Sequence, residues 1–501
     1  MARLGIVLAI IIFFPAASVA QLGALEQMEV KTFAELREVE RYQLKIAEKH
    51  YLAGEFPTAR NEYEKFLTLY EKSPGAPYAQ LMWSHCQVKA RNVNTAIREG
   101  FQSVIEYWPD SREAVMASFL MARSYRDIGE VQKAGAAYDQ FILKHPQDPM
   151  ITLARLDLLG MAKVAKQEDK RLKLLKLIAF SSPASTENKG HSASAKRELA
   201  EIQIGNDALD EALTTLSSLY EGAELSREVC ELATGAIRQW CGDKKTKPKG
   251  LKLADTVIAM LIESIPDDLT DEKSRPLARG LYYRIAGTYG SSGRPQEILK
   301  TYETMAKLFG SDDEILGRMA DFYKGQKQRD KARAIYAKME DQISGQSAIA
   351  KMWREESQYD KSIEIYRELM IKDAAKSADY LSAIAECYEA SGRFALAIQT
   401  YRQVDRFPST HFDMARCHRK LKQCSEAITL YGQAKADQPS APEAAIQIGY
   451  TYEEDSKPEA AIKAFQQTCK SYPTSAQASR AHAHLQDKYK ITVTLGGAKE
   501  E

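Results

Sequence analysis

The stretch HFDMARCHRKLKQC brings four potential metal ligands close together in sequence: His411, Cys417, His418 and Cys424. Imidazole and thiolate groups bind zinc, but a zinc site needs four such ligands to converge on one point. Cys417 also fits a buried column of a helical repeat, and His418 takes the place that Tyr388 has one unit earlier. We therefore expect these residues to pack in a core and not to hold a metal.

The chain contains seven cysteines, so at least one thiol lacks an intramolecular disulfide partner. Cys230 and Cys241 lie on one predicted helix, too far apart along it to bridge directly. Four others fall on helical faces that the repeat turns inward, namely Cys86, Cys387, Cys417 and Cys469. Since a free cysteine behaves as a small buried hydrophobe, we expect these four in the core.

Pairs of charged residues three positions apart recur along the chain and could bind a carboxylate. They are Arg123 and Arg126, Lys351 and Arg354, Glu386 and Glu389, and Arg416 and Arg419. The three pairs between 350 and 420 alternate in sign, as an inter-repeat ladder of salt bridges would, and we favour that interpretation there. A clamp for a carboxylate or peptide is the alternative, because a guanidinium gives a carboxylate two parallel hydrogen bonds.

Arg123 and Arg126 are the preferred candidates for partner binding. The matching places of the preceding unit hold His85 and Val88, so no acidic pair stands there to neutralise them. The full set of predicted partner-binding residues is Arg123, Arg126, Lys351, Arg354, Arg416 and Arg419.

A repeat positions all of these residues. Its middle column holds Ala59, Ala96, Ala134, Ala212, Ile298, Ala332, Ser362, Ala397, Ala427 and Ala461. A small residue stands twelve places before each of them, from Ala47 to Gly449, and an aromatic residue stands four places after eight of the ten. Small residues let two helices approach closely, and an aromatic ring one turn later covers the seam. The columns therefore predict packed pairs of helices.

Glycine and proline mark the ends of these helices. Gly54, Gly129 and Gly392 supply the turn inside a unit, and proline follows the unit, as at Pro146 and Pro408, because it cannot extend a helix interior. The whole pattern resembles the tetratricopeptide repeat (TPR). The resemblance implies an all-α, TPR-like superhelical solenoid of about twelve antiparallel helix pairs, with a concave face that binds a protein or peptide partner.

Weaker repeats fill two long gaps in the middle column. One gap contains an apolar periodic stretch from Thr152, followed by SSPASTENKGHSASA, which lacks such periodicity and is predicted as a loop. The other contains two helical stretches joined by the basic loop CGDKKTKPKG. At the end of the chain, Ile491, Val493 and Leu495 alternate as in a strand, so this segment is either a mobile tail or a strand added to a partner's sheet.

The first 20 residues have the features of a secretory signal. Arg3 precedes the apolar run LGIVLAIIIFF, and small residues end the segment at Ala20. Cleavage before Gln21 is predicted, and an uncleaved membrane anchor is the alternative. No later window is long and apolar enough to cross a bilayer. The sequence therefore predicts five segments: a signal peptide at 1–20, N-terminal TPR-like repeats at 21–180, degenerate helical repeats and loops at 181–275, C-terminal TPR-like repeats at 276–485, and a tail at 486–501.

Charge and motifs narrow the function. Lys and Arg total 69 against 68 Asp and Glu, so net charge gives no reason to expect a nucleic acid partner. The sequence holds no phosphate-binding loop, HExxH or GxSxG motif, so we expect neither an enzyme nor a cofactor.

These observations together predict an exported scaffold, periplasmic or secreted, that binds a protein or peptide in bacterial envelope assembly or coordination. The C-terminal unit, AAIQIGYTYEEDSKPEAAIKAFQQTCKSYPTSAQASRAHAHL, resembles the repeats of periplasmic accessory proteins of the Tol-Pal type. A membrane-tethered secretion or assembly factor is the alternative, and a thiol- or metal-dependent enzyme is a more remote one.

Overall fold

The computed structural model of the protein describes residues 28–183 and 185–493. The predicted signal segment at 1–20 and the last residues of the tail, 494–501, lie outside these ranges. Within them the chain forms helices and connections and no strand. The chain divides into two compact units, which we call unit 1 and unit 2; unit 1 ends at Ser264 and unit 2 begins at Ile265.

Unit 1 contains one short N-terminal helix and six pairs of helices joined by short turns. The short helix is α1 (Val30–Glu35), and the pairs are α2 (Glu38–Leu52) with α3 (Phe56–Leu69), α4 (Ala76–Lys89) with α5, α6 (Arg112–Asp127) with α7 (Val131–Lys144), α8 (Ile151–Val164) with α9 (Glu168–Phe180), α10 (Thr186–Gly205) with α11 (Leu209–Leu216), and α12 (Gly222–Gly242) with α13 (Lys247–Glu263). Helix α5 runs through Val93–Thr95, a π-helical segment at Ala96–Phe101, and Gln102–Tyr107.

Unit 2 repeats this arrangement with six further pairs and one last helix. They are α14 (Ser274–Ser291) with α15 (Pro295–Phe309), α16 (Asp313–Gly325) with α17 (Arg329–Tyr336), α18 (Gln342–Glu355) with α19 (Tyr359–Lys372), α20 (Ser377–Ala390) with α21 (Phe394–Tyr401), α22 (Ser409–Lys420) with α23 (Cys424–Ala434), α24 (Ala441–Glu454) with α25 (Pro458–Ser471), and α26 (Ala476–His484). The described chain thus has twelve helix pairs, which confirms the predicted all-α repeat fold.

The turn inside the pairs has one conformation in eleven of the twelve. The residue five places before the middle column is left-handed, with φ between 54° and 82°. These residues are Gly54, Arg91, Gly129, Lys166, Asp207, Gly293, Lys327, Ser357, Gly392, Lys422 and Ser456. Glycine adopts this conformation without steric cost, whereas a side chain makes it strained. The pair α12 and α13 is the exception, because residues 243–246 connect these helices without a left-handed residue.

The repeat columns form the core, as the sequence predicts. Every residue of the small column and all of the middle column except Ile298 are buried. Ser362 shows how close the helices lie, because its hydroxyl donates to the Ala350 carbonyl across the seam at 2.9 Å. At Gly449 the approach is closer still, since a Cβ atom there would lie 2.4 Å from the Phe465 ring.

One expectation about an irregular segment is wrong. The stretch predicted as a loop from Ser181 begins helix α10 at Thr186, where the Ser185 hydroxyl caps the helix by accepting from the Asn188 amide at 3.0 Å. Small and polar residues hide the periodicity of this helix, although its inner face is buried. Ile491 and Val493, at the start of the tail, pack against the apolar cluster of the last repeat without regular secondary structure, and a strand added to a partner's sheet stays a prediction.

Candidate partner-binding site

Arg123 and Arg126 are not the unpaired arginines that the sequence suggested. Both lie on α6 and contact Asp157 of α8, the first helix of the following pair: Arg123 Nε is 3.4 Å from this carboxylate, and Arg126 forms a shorter ion pair with it. The Tyr138 hydroxyl donates to the same carboxylate at 2.6 Å. The prediction considered only the preceding unit, whereas the acidic partner comes from the next one.

The predicted ladder in unit 2 is present. Arg354 pairs with Glu386, and Arg416 donates to Glu389 at 2.5 and 2.8 Å. Burial alone would raise the pKa of Glu389, but the hydrogen bonds from Arg416 hold it below its ordinary value. Arg419 continues the ladder forward, as its Nε donates to Glu454 of α24 at 2.9 Å. Three of the four predicted basic residues of unit 2 therefore connect neighbouring repeats.

The same type of contact joins the first helices of other consecutive pairs. The further pairs are Lys163 with Glu198, Arg197 with Glu228, Arg279 with Glu314, and Lys324 with Glu355. Across all of these contacts the partners are 27 to 35 residues apart in sequence. Opposite charges separated by about one repeat length are the sequence signal that identifies them.

Lys351 differs from the other predicted binding residues. It is exposed on α18, and its ammonium group makes no ion pair or hydrogen bond with any residue that the structure describes. One turn earlier, the Ser347 hydroxyl likewise has no hydrogen-bond partner within 28–183 and 185–493. Both residues line a groove of about 640 Å³ between α16, α18 and α20, which we call the tyrosine groove.

Three aromatic side chains, Tyr336, Tyr366 and Tyr380, line the tyrosine groove. The rings of Tyr366 and Tyr380 stack with their centroids 6.2 Å apart, and burial raises the pKa of Tyr366 to about 12. The Tyr336 hydroxyl donates to Asp321 at 2.6 Å. The three rings are buried, at 8%, 2% and 5% exposed respectively, so they form a rigid floor under the groove.

The charged residues of the tyrosine groove are matched with one exception. Lys324 pairs with Glu355 at 2.9 Å, Asp379 pairs with Arg406, and Lys376 lies 3.7 Å from Asp373. With Asp321 bonded to a tyrosine, Lys351 is the one lining charge without a partner among the described residues. Among the described residues, the groove therefore presents a single ammonium group without an ion-pair partner, above a floor of buried tyrosines.

The cysteines and the proposed metal ligands take structural positions. Six cysteines are buried, namely Cys86, Cys230, Cys387, Cys417, Cys424 and Cys469. His418 is also buried, and its Nδ1 lies 2.8 Å from the Gln423 side-chain oxygen. In the part of the chain that the structure describes, no group of three or more His, Cys, Asp or Glu side chains is arranged to hold a metal. Nor does any helix there have the length and apolar composition needed to cross a membrane.

Comparison with protein families identifies the repeat. Models described as tetratricopeptide repeat match residues 354–410, 412–476 and 116–148. Together with the twelve helix pairs of the described chain, these matches show that the chain contains tetratricopeptide repeats, which form scaffolds for protein interactions. Comparison with curated protein sequences finds no match.

Solved structures align over most of the chain with low similarity. Naa15/Naa10 bound to HypK-THB has 13% sequence identity and a TM-score of 0.44, and the alignment covers 90% of this chain and 71% of that chain. The Cut9-Hcn1 hetero-tetramer of APC/C has 12% identity and a TM-score of 0.26 and covers 91% and 99%. Yeast Tom70 has 14% identity and a TM-score of 0.27 and covers 91% and 98%. At these values the alignments carry no information about partner or activity.

Proposed function

We propose that the chain is an exported scaffold that binds a protein or peptide through the tyrosine groove, in assembly or coordination of a bacterial envelope. The binding site is inferred from Lys351, which has no ion-pair partner in a groove whose other described charges are paired. No nucleic acid partner belongs to the proposal, in keeping with a net charge of +1.

The chemistry of the groove favours an extended peptide with one carboxylate. Lys351 and Ser347 are one helical turn apart on α18, so an ammonium and a hydroxyl donor stand side by side for a carboxylate. The tyrosines beneath them are buried, so they hold this part of the groove rigid and leave little of their own surface to a ligand.

Site-specific crosslinking tests this binding site. A photoreactive amino acid replaces Lys351 in one variant and Lys338, an exposed residue that does not line the groove, in a matched control. After irradiation of intact cells, we expect a discrete adduct from position 351 and none from position 338. Equal adducts from both positions would contradict the assignment of the groove.

Sequence features support the proposed location. Residues 1–20 resemble a secretory signal, and the C-terminal unit resembles repeats of periplasmic Tol-Pal accessory proteins. Mass spectrometry of the protein isolated from its native cells tests export: a mature chain that begins at Gln21 supports it. A chain that retains residues 1–20 in the membrane fraction would favour the tethered assembly factor instead.

A further inference from the structure

The chain stays attached to the fold after its last helix, α26. It continues through a π-helical turn at Leu485–Tyr489, and Lys490 then has the left-handed conformation, with φ 59°, that follows the first helix of most pairs. No second helix follows in the described ranges, and Ile491 and Val493 pack against an apolar cluster that α24, α25 and α26 form. We call residues 486–493 the strap.

A single carboxylate, Glu453 of α24, anchors the strap. The Tyr489 hydroxyl donates to it at 2.6 Å, and the Lys488 ammonium lies 3.1 Å from the same oxygen. His484 of α26 reaches this oxygen with Nε2 at 2.8 Å. Burial alone would raise the pKa of Glu453, but the hydrogen bonds from these groups hold it below its ordinary value. The anchor is therefore a charged carboxylate near neutral pH.

The strap covers a surface that is equivalent to the proposed binding surface. Glu453 and Tyr450 stand eight and eleven residues before the middle column, where Arg354 and Lys351 stand three pairs earlier. Lys351 lines the tyrosine groove, and Tyr450 belongs to the cluster against which the strap packs. In the last pair, the chain's own strap thus occupies the position that a partner would occupy in the groove.

Closing the end of the repeat explains α26 and does not require the strap. Ala481 and Leu485, on α26 and at its end, are fully buried in the apolar cluster of the last pair. Most side chains of the strap are exposed, and Tyr489, Ile491 and Val493 are only partly buried. A segment with so little buried surface opens at a lower free energy than the packed helices beside it. The strap can therefore detach while α24 and α26 stay folded.

We propose that the strap is an autoinhibitory contact, which occupies the inner surface of α24 in the free protein and is replaced by a segment of the partner. The inference rests on the proposed function, because the competing segment belongs to the partner that the tyrosine groove engages. The strap indicates the chemistry of this segment: a hydroxyl or cation that binds Glu453, followed by alternate apolar side chains as at Ile491 and Val493. A carboxylate at this point would be repelled by Glu453.

Limited trypsin digestion of the full chain measures detachment, because cleavage after Lys490 requires the strap to leave the fold. The variant K488Q/Y489F removes two of the three donors to Glu453, so we expect cleavage about fivefold faster or more, relative to a synthetic peptide of the same sequence. The control K470Q/Y472F makes the same changes on side chains without a polar partner in the described chain, and its rate should stay within about twofold of wild type. Equal rates in both variants would overturn the proposal.

A labelled peptide with the sequence of residues 485–493, LQDKYKITV, tests competition for the surface by fluorescence anisotropy. In wild type the attached strap is present at high effective concentration and should exclude the peptide. In K488Q/Y489F the peptide supplies both bonds to Glu453 that the altered strap lacks, so we expect binding at least about threefold tighter than to wild type or to K470Q/Y472F. Equal affinity for all three proteins would overturn the proposal, because the surface would then not be the one that the strap covers.

Failure here is distinguishable from failure of the proposed function. Crosslinking at position 351 does not depend on the strap, which does not line the tyrosine groove. A photoreactive phenylalanine derivative at Tyr450 should capture the partner in K488Q/Y489F at least about threefold more than in K470Q/Y472F. A partner captured at position 351 without this increase would refute the autoinhibitory contact alone. Capture at position 450 that requires release of the strap, without any adduct at position 351, would refute the tyrosine groove alone.

Discussion

Replacing Asp157 with alanine should destabilise unit 1 strongly, because this carboxylate joins two repeats. It accepts from Arg123, Arg126 and the Tyr138 hydroxyl. The side chains of Arg123, Arg126 and Asp157 are 16%, 26% and 13% exposed, so solvent screens these contacts only in part. The prediction decides whether the two arginines serve the fold or remain available for a ligand.

The magnitude follows from what the substitution leaves behind. Removing one member of a buried ion pair costs about 3–5 kcal/mol, because the remaining charge has no partner. Tyr138 is fully buried, so the loss of its acceptor adds a penalty of about 1–3 kcal/mol. Relaxation of the arginines toward solvent lowers the sum, and we expect a loss of about 3 kcal/mol in the free energy of unfolding.

Urea unfolding followed by far-ultraviolet circular dichroism measures this loss. The matched control is Asp127→Ala, which removes a carboxylate from the same arginine at a side chain that is 54% exposed. Exposed pairs contribute about 0–1 kcal/mol, so this variant should lie within about 0.5 kcal/mol of wild type. If Asp157→Ala lowered the free energy of unfolding no more than Asp127→Ala does, the contacts of Asp157 with the two arginines would not stabilise the fold.

Three further predictions follow from buried groups. Burial lowers the pKa of His85 from 6.5 to about 4, so the unfolded chain binds a proton first as pH falls. Stability should therefore drop by up to about 3 kcal/mol between pH 6.5 and 4, and urea unfolding of His85→Leu should show a smaller drop. Gly449→Ala should cost about 2 kcal/mol in thermal unfolding, because its Cβ meets Phe465, whereas Gly432→Ala, with no atom within 4 Å, should not destabilise. A thiol reagent should modify the partly exposed Cys241 in the native protein before it modifies the buried thiols. Burial also raises the thiol pKa at Cys86, Cys387, Cys417, Cys424 and Cys469, so these groups form less of the reactive thiolate. Equal rates of modification would contradict their burial.

The sequence predicts the repeat because close helix packing restricts residue type. Ala59 and Tyr63 must be small and aromatic respectively, since both are fully buried at a helix crossing. Where the packing accepts other residue types, the repeat is harder to recognise in the sequence. In the pair α8 and α9, Arg171 occupies the middle position, although the left-handed turn of the repeat is kept at Lys166. From the sequence alone, the left-handed turn can be recognised only where glycine occupies it.

The candidate site was harder to predict because pairing is a three-dimensional property. The sequence identified Arg123 and Lys351 as equivalent charges, but Asp157 neutralises the first and nothing in the described chain neutralises the second. Which neighbouring repeat supplies the partner depends on side-chain reach across the helix seam, and residue spacing does not encode that direction.

The most direct test compares Lys351→Ala with Arg354→Ala in one binding and stability experiment, using the partner captured at position 351. Lys351 has no contact to lose, so its variant should weaken partner binding by about fivefold or more and leave the unfolding midpoint unchanged. Arg354 pairs with Glu386, so its variant should lower stability modestly and leave affinity within about twofold. Binding lost at Arg354 and retained at Lys351 would contradict the account.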